Sequence, residues 1–262
     1  MSACYPLRVR AAWLLAVCAL GGCNFRIDPL GGAGSGGGGG GNVTDGAVVI
    51  GGGDLGDLGP SGGSDDLAHT GPFLTIAAVP SAAAVDLTAD ANADWAHWGY
   101  SAASDFDDKK LGAGQISNFQ QVGVNIPTQY GDGLVIYRWS DGNTGSGRHG
   151  NTSSNGTTTG VYILTGGLKI TAPADTTVRR LKVYVGQLNA QGQIDASLTD
   201  NSAPAVSDHS YTSMNGNPIN VTYILTYAAS SPGQLISVTW TVLNNSLGNI
   251  TLQSASLQAP VF

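Results

Sequence analysis

The chain has 262 residues, 39 of them Gly, a formal charge of −7, and 18 acidic residues that are all Asp. Asp favours turns and caps where Glu favours helices, so this choice argues against a helical fold. With only 11 Lys and Arg, the chain lacks the clustered cations that a phosphate backbone needs, which excludes nucleic acid as a partner. In chain order, Arg8 and Arg10 form a basic start, Ala11 to Leu20 an apolar run, and Leu20-Gly21-Gly22-Cys23 a small-residue close. That is the pattern of a secretory signal peptide over residues 1–22. The apolar run falls short of the roughly 20 residues of a transmembrane helix.

Leu20-Gly21-Gly22-Cys23 resembles the bacterial lipobox, which implies that Cys23 becomes the lipid-bearing first residue of the mature protein. Asn24 follows, with no Asp there to suggest inner-membrane retention, so the resemblance implies the outer membrane or cell surface. A soluble secreted protein with an incidental Cys23 is the alternative. Cys4 and Cys18 lie within the signal, so no disulfide, thiolate metal site or cysteine nucleophile is expected. Residues 23–71 are Gly-rich, with an unbroken run from Gly36 to Gly41. Such a segment buries too little apolar surface to offset its ordering entropy, so a flexible tether is expected, with a reach of roughly 35 Å.

Residues 72–262 read as one β domain. Ile236, Val238, Trp240 and Val242 alternate with Ser237, Thr239 and Thr241, the period of a half-buried strand. Leu181, Val183 and Val185 repeat the pattern, as do Val221, Tyr223, Leu225 and Tyr227. Further strands are predicted over 73–79, 84–87, 94–98, 115–122, 134–140, 161–170, 194–198 and 250–257. Turn signals separate them, among them Asp132-Gly133, Asp141-Gly142, Ala172-Pro173 and Ser231-Pro232-Gly233. No stretch keeps a helical period. The expected fold is all-β, an antiparallel two-sheet sandwich of jelly-roll type.

The densest chemistry is Asp94-Trp95-Ala96-His97-Trp98-Gly99. In a strand, Trp95 and His97 share one side while Asp94, Ala96 and Trp98 share the other. The succession of this segment with Ile116-Ser117-Asn118-Phe119, Trp139-Ser140-Asp141-Gly142, Thr158 to Tyr162, Ala172 to Thr177, Leu181 to Gly186 and Gln253 to Gln258 resembles an accessory module of secreted bacterial proteins. Such modules are similar to the galactose-binding-like jelly rolls found beside glycoside hydrolases. The resemblance implies an extracellular β-sandwich appendage, with carbohydrate as the suspected ligand. The chain departs from it in carrying no attached enzyme domain, in Asp90, and in a loop over 143–157 rich in Asn, Gly and Ser.

A sugar site needs an aromatic face for the apolar side of a pyranose and fixed polar groups for its hydroxyls. Asp94 with Trp98, and Tyr137 with Trp139, are the candidates for ligand binding. Trp is also a core residue, and Trp95 and Trp240 are assigned there. His97 reads better as a hydrogen-bonded structural imidazole, and Asp141 as a carboxylate satisfying its own turn. The acids near 105–108 could gather oxygens around a structural calcium ion, with Asp90, Asp105 and Asp107 as candidate ligands. No other cofactor is expected. His69, His97, His149 and His209 show no zinc spacing. No nucleophile elbow, marked carboxylate pair or phosphate loop is present, so enzyme activity is not expected. Two function classes remain: an anchored carbohydrate-binding module, or a structural or adhesive envelope lipoprotein without a small-molecule ligand.

Overall fold

The computed structural model describes residues 71–112 and 114–260. The expected signal peptide, Cys23 and all of the tether but Gly71 lie outside the described residues. Thirteen strands and one short helix make up the described part: β1 (Phe73–Pro80), β2 (Ala84–Asp86), α1 (Leu87–Asp90), β3 (Asp94–Trp98), β4 (Phe106–Asp108), β5 (Gln120–Val122), β6 (Thr128–Tyr130), β7 (Ile136–Arg138), β8 (Gly160–Ile163), β9 (Gly167–Ala174), β10 (Arg179–Leu198), β11 (Val206–Asp208), β12 (Ile219–Ala228) and β13 (Gln234–Gln258). Apart from α1 the described part is all-β, as the composition implies. Eleven of the strands form one antiparallel sheet, and β2 pairs with β7 in a small parallel ribbon.

Two strands organise the sheet. β10 and β13 run antiparallel for their whole lengths, from Arg180 opposite Gln258 to Leu198 opposite Ile236. The first half of β10 and the second half of β13 lie in one layer, beside β12 and β1 on one flank and β3, β4, β8 and β6 on the other. Their remaining halves lie in a second layer with β9, β5 and β11. Between the halves the register slips near Asn189 and again before Gly192, where unpaired residues let both strands turn. Each of these long strands was expected as two shorter ones, from its two alternating stretches. The break in hydrophobic pattern marks a bend, and the backbone pairing continues through it.

The layers meet face to face. Leu181, Val183, Val185, Tyr223, Leu225 and Leu257 from the first share a core with Ile170, Ile194, Ala196, Ile236, Val238 and Trp240 from the second. Contacts cross the middle: the Tyr223 and Trp240 rings lie 5.8 Å apart, and the Tyr227 hydroxyl donates to the Pro173 carbonyl at 3.0 Å. Pro173 sits inside β9, although Ala172-Pro173 reads as a turn. Its residue lies beyond the part of β9 that pairs with β5, so no partner strand needs the missing N–H. The expected strand over 161–170 is broken at Gly166, whose φ of +80° is open to Gly and strained for other residues.

A third layer covers the outer face of the first sheet. β2, α1 and β7 lie over it and enclose Leu87, Ala91, Trp95, Val135, Tyr137, Trp139 and Tyr184 as a second apolar cluster. α1 begins at Asp86, whose carboxylate caps the Ala89 amide.

Candidate functional site

Both faces of β3 are enclosed, because this strand lies between the main core and the covering layer. Ala96 and Trp98 enter the main core and Trp95 enters the second cluster, with each indole 0% exposed. Trp98 stacks at 6.1 Å on Phe106. His97 lies 5.1 Å from Trp139 and 5.5 Å from Tyr137, and its ring nitrogens are engaged by Ser254 (2.8 Å) and Thr159 (3.0 Å). Burial pushes its pKa down to about 3, so the imidazole is neutral. Asp94 accepts the backbone N–H groups of Trp95, Gln115 and Ile116, each at 2.9 Å. Its desolvation outweighs those bonds and raises the carboxyl to about 6.

The four residues singled out for ligand binding are therefore placed inside the protein. Asp94 pins the 115–116 backbone, Trp98 fills the main core, Tyr137 donates to Gln253 at 2.5 Å, and Trp139 donates its indole N–H to the Gly150 carbonyl. None presents a face to solvent. Asp141 also differs from its expected role: its carboxylate holds Thr88 (2.6 Å) and the Trp95 indole N–H (2.9 Å) rather than the amides of its own turn.

The acids singled out for calcium fall into two groups. Asp90 receives the Lys182 ammonium, the Tyr184 hydroxyl (2.6 Å) and the Ser256 hydroxyl. Burial works against its ionisation, but those hydrogen bonds outweigh it and hold its pKa below the usual range. Asp105 and Asp107 flank His149 instead. Asp107 takes the His149 amide at 2.5 Å and Nδ1 at 3.0 Å, while Nε2 lies 3.6 Å from Asp105. Beside them Arg148 clamps Asp108 with two bonds of 2.6 and 2.8 Å. Among the described residues no three His, Cys, Asp or Glu side chains come together as metal ligands.

The site with room for a ligand lies elsewhere on the outer face of the first layer, beyond the covering ribbon. A cleft of about 300 Å³ opens over Gly186 between β8, β10, β12 and the end of β6. Gly186 makes the room: a Cβ there would come within 2.6 Å of Thr251 Oγ1 and 2.7 Å of Asn220 Oδ1. Tyr130 and Tyr162 supply aromatic surface, and Gln187, Asn220, Asn249, Thr251 and Gln253 supply amides and a hydroxyl. The Tyr130 hydroxyl is buried beside Thr251 and Gln253, and burial pushes its pKa up to about 12, so it remains a donor. Gln253 joins the cleft to the interior. Its carbonyl takes the Tyr137 hydroxyl, and its Nε2 donates to Asn220 Oδ1 at 2.6 Å. Gln187 spends its carbonyl on the Gly192 amide at 2.7 Å and keeps a buried Nε2 with no partner among the described residues. Among the described residues no Lys, Arg or His lines the cleft, and its one carboxylate is that of Asp132.

A second hollow of about 470 Å³ lies between β2, α1 and the ends of β1, β10 and β12, with Asp86 and Asp90 on its wall. Both acids are committed, one to the α1 cap and the other to Lys182, Tyr184 and Ser256.

No family model matches the chain, and no curated protein matches it. Similar solved structures include TmCBM61 in complex with β-1,4-galactotriose (8% identity, 38% of this chain and 70% of that one, TM-score 0.27). Others are a glycoside hydrolase family 43 arabinoxylan arabinofuranohydrolase from Bacillus subtilis in complex with cellotetraose (15%, 54% and 27%, TM-score 0.25) and a candidate sugar-binding protein from Bacteroides thetaiotaomicron (11%, 68% and 94%, TM-score 0.21). With each TM-score below 0.5, the likeness decides neither topology nor ligand, and the chemistry of the cleft has to do so.

Sequence patterns pass over the cleft because it depends on a bulge. Tyr184 pairs with Ser254 and Val185 with Leu252, so Gln253 is an extra residue on β13. The bulge turns Gln253 to the outer side next to Ser254, against simple alternation. The one available signal is Gly186, a glycine that interrupts the run Leu181 to Val185 and marks a close approach.

Proposed function

We propose that this chain is a non-catalytic carbohydrate-binding module, held at the surface of a bacterium by a lipid on Cys23. The make-up of the cleft over Gly186 carries the reading. Side-chain amides both donate and accept, as a sugar's hydroxyls require, and two tyrosines offer apolar faces for a ring. The single carboxylate among its lining residues supports binding without hydrolysis, since glycosidases use two flanking acids. The Leu20 to Cys23 segment supports the anchor.

The burial of Trp98 and Trp139 favours the second reading, a structural or adhesive envelope lipoprotein. A glycan array separates the two. Binding by the intact domain that is lost in Tyr162→Ala, with the melting temperature kept, supports the module. An array without binders leaves the structural reading. For the anchor, Cys23→Ala should move the protein from the membrane fraction to the soluble one. An unchanged distribution overturns the lipid attachment.

A further inference from the structure

Every acid in this chain is Asp, and nearly all of those described have a structural task. Asp86 caps a helix, Asp90 holds Lys182, Asp94 pins backbone amides, and Asp105, Asp107 and Asp108 engage His149 and Arg148. Asp141 and Asp175 hold Thr88 and Arg179, while Asp195, Asp200 and Asp208 bond Gln193, Ser202 and Ser210. Among the described residues Asp132 is the exception. Its carboxylate is exposed, takes no hydrogen bond or ion pair, and stands at the cleft beside Tyr130, whose ionisation its charge opposes.

Resting on the carbohydrate reading, we propose that Asp132 sets the specificity of the cleft and that the ligand is a glycan bearing free primary amines. A protonated amino sugar would meet one full negative charge and the π faces of Tyr130 and Tyr162, with amide oxygens to accept its remaining N–H groups. Among the described residues no Lys, Arg or His in the lining offsets that charge. A uronic acid or sulfated sugar would instead bring a second negative charge against Asp132 in an acidic protein, where like charges oppose binding. N-acetylation removes the cation and leaves only hydroxyl and amide contacts.

Calorimetric titration of the full domain with three tetrasaccharides tests the proposal: β-1,4-linked glucosamine, its fully N-acetylated form, and α-1,4-linked galacturonic acid. The glucosamine form should bind about tenfold more tightly than the acetylated one, and the preference should shrink in high salt. The galacturonate should not bind. Asp132→Asn should erase the preference for the amine. Because Asp132 is exposed and makes no bonds, its removal leaves the fold intact, which a thermal melt verifies. Equal affinity for the two glucosamine forms, or a preference that survives Asp132→Asn, overturns the role of Asp132. In either case binding that Tyr162→Ala removes would keep the carbohydrate reading. Absence of binding by all three and by the glycan array would overturn both.

Discussion

The Tyr137 hydroxyl donates to the Gln253 carbonyl at 2.5 Å, deep beneath the ribbon that covers the first layer. This bond joins the buried aromatic cluster to the floor of the cleft, because the same Gln253 amide holds Asn220. Tyr137→Phe should cost about 1 to 3 kcal/mol, the penalty for leaving a buried acceptor unsatisfied. It should also weaken glycan binding while Tyr162 stays intact, since Gln253 would be free to turn its amide. Urea unfolding and titration of the same variant measure the two effects together.

Trp98 makes the opposite prediction. It is enclosed by the main core and lies away from the cleft. Trp98→Ala should therefore destabilise by about 3 to 5 kcal/mol through lost burial and the cavity left behind. At a temperature where the variant is still folded, its affinity for any glycan should equal that of the parent. A selective loss of binding at unchanged stability would contradict the placement of this indole.

His97 predicts a pH dependence. Its folded pKa is about 3 against an ordinary value of 6.5, so the depressed group contributes its full stability above pH 6.5 and loses it as pH falls towards 3. Asp94 works in the other direction: raised to about 6 from 3.8, it opposes folding more as pH rises through that window. The two oppose each other between about pH 4 and 6, so the parent's profile alone does not isolate either. The stability difference between the parent and His97→Gln should narrow by about 2 kcal/mol from pH 6.5 to pH 5, at about 1.4 kcal/mol per pH unit. Denaturant titrations of both proteins at several pH values check this.

The alternation of Leu181, Val183 and Val185, and of Ile236, Val238 and Trp240, made the all-β fold legible because one side of each run meets the main core. β3 was legible in its bounds and in its division of faces. What its sequence could not convey was which face is covered by what: the face of Asp94 and Trp98, read as open to a ligand, meets the main core, and a covering layer encloses Trp95 and His97. Short edge strands such as β4, β6 and β11 are set by partners distant in sequence, so three residues carry no period of their own. The cleft was illegible for a related reason. Gln253 reaches it through a bulge in pairing, and Tyr130 through a strand of three residues.

The pairing of β10 with β13 in both layers has a mechanical consequence. Two layers held together only by side chains can slide or part like the covers of a book, and a cleft beside their junction would breathe with them. Here the same two backbones are the binding of both covers, so neither layer can peel away without tearing the ladder of the other. Gly186 and Gln187 sit on β10 just before it turns, which places the cleft beside the seam that joins both layers. A ligand arriving there would meet groups already in position, and little of its binding energy would go into ordering the protein.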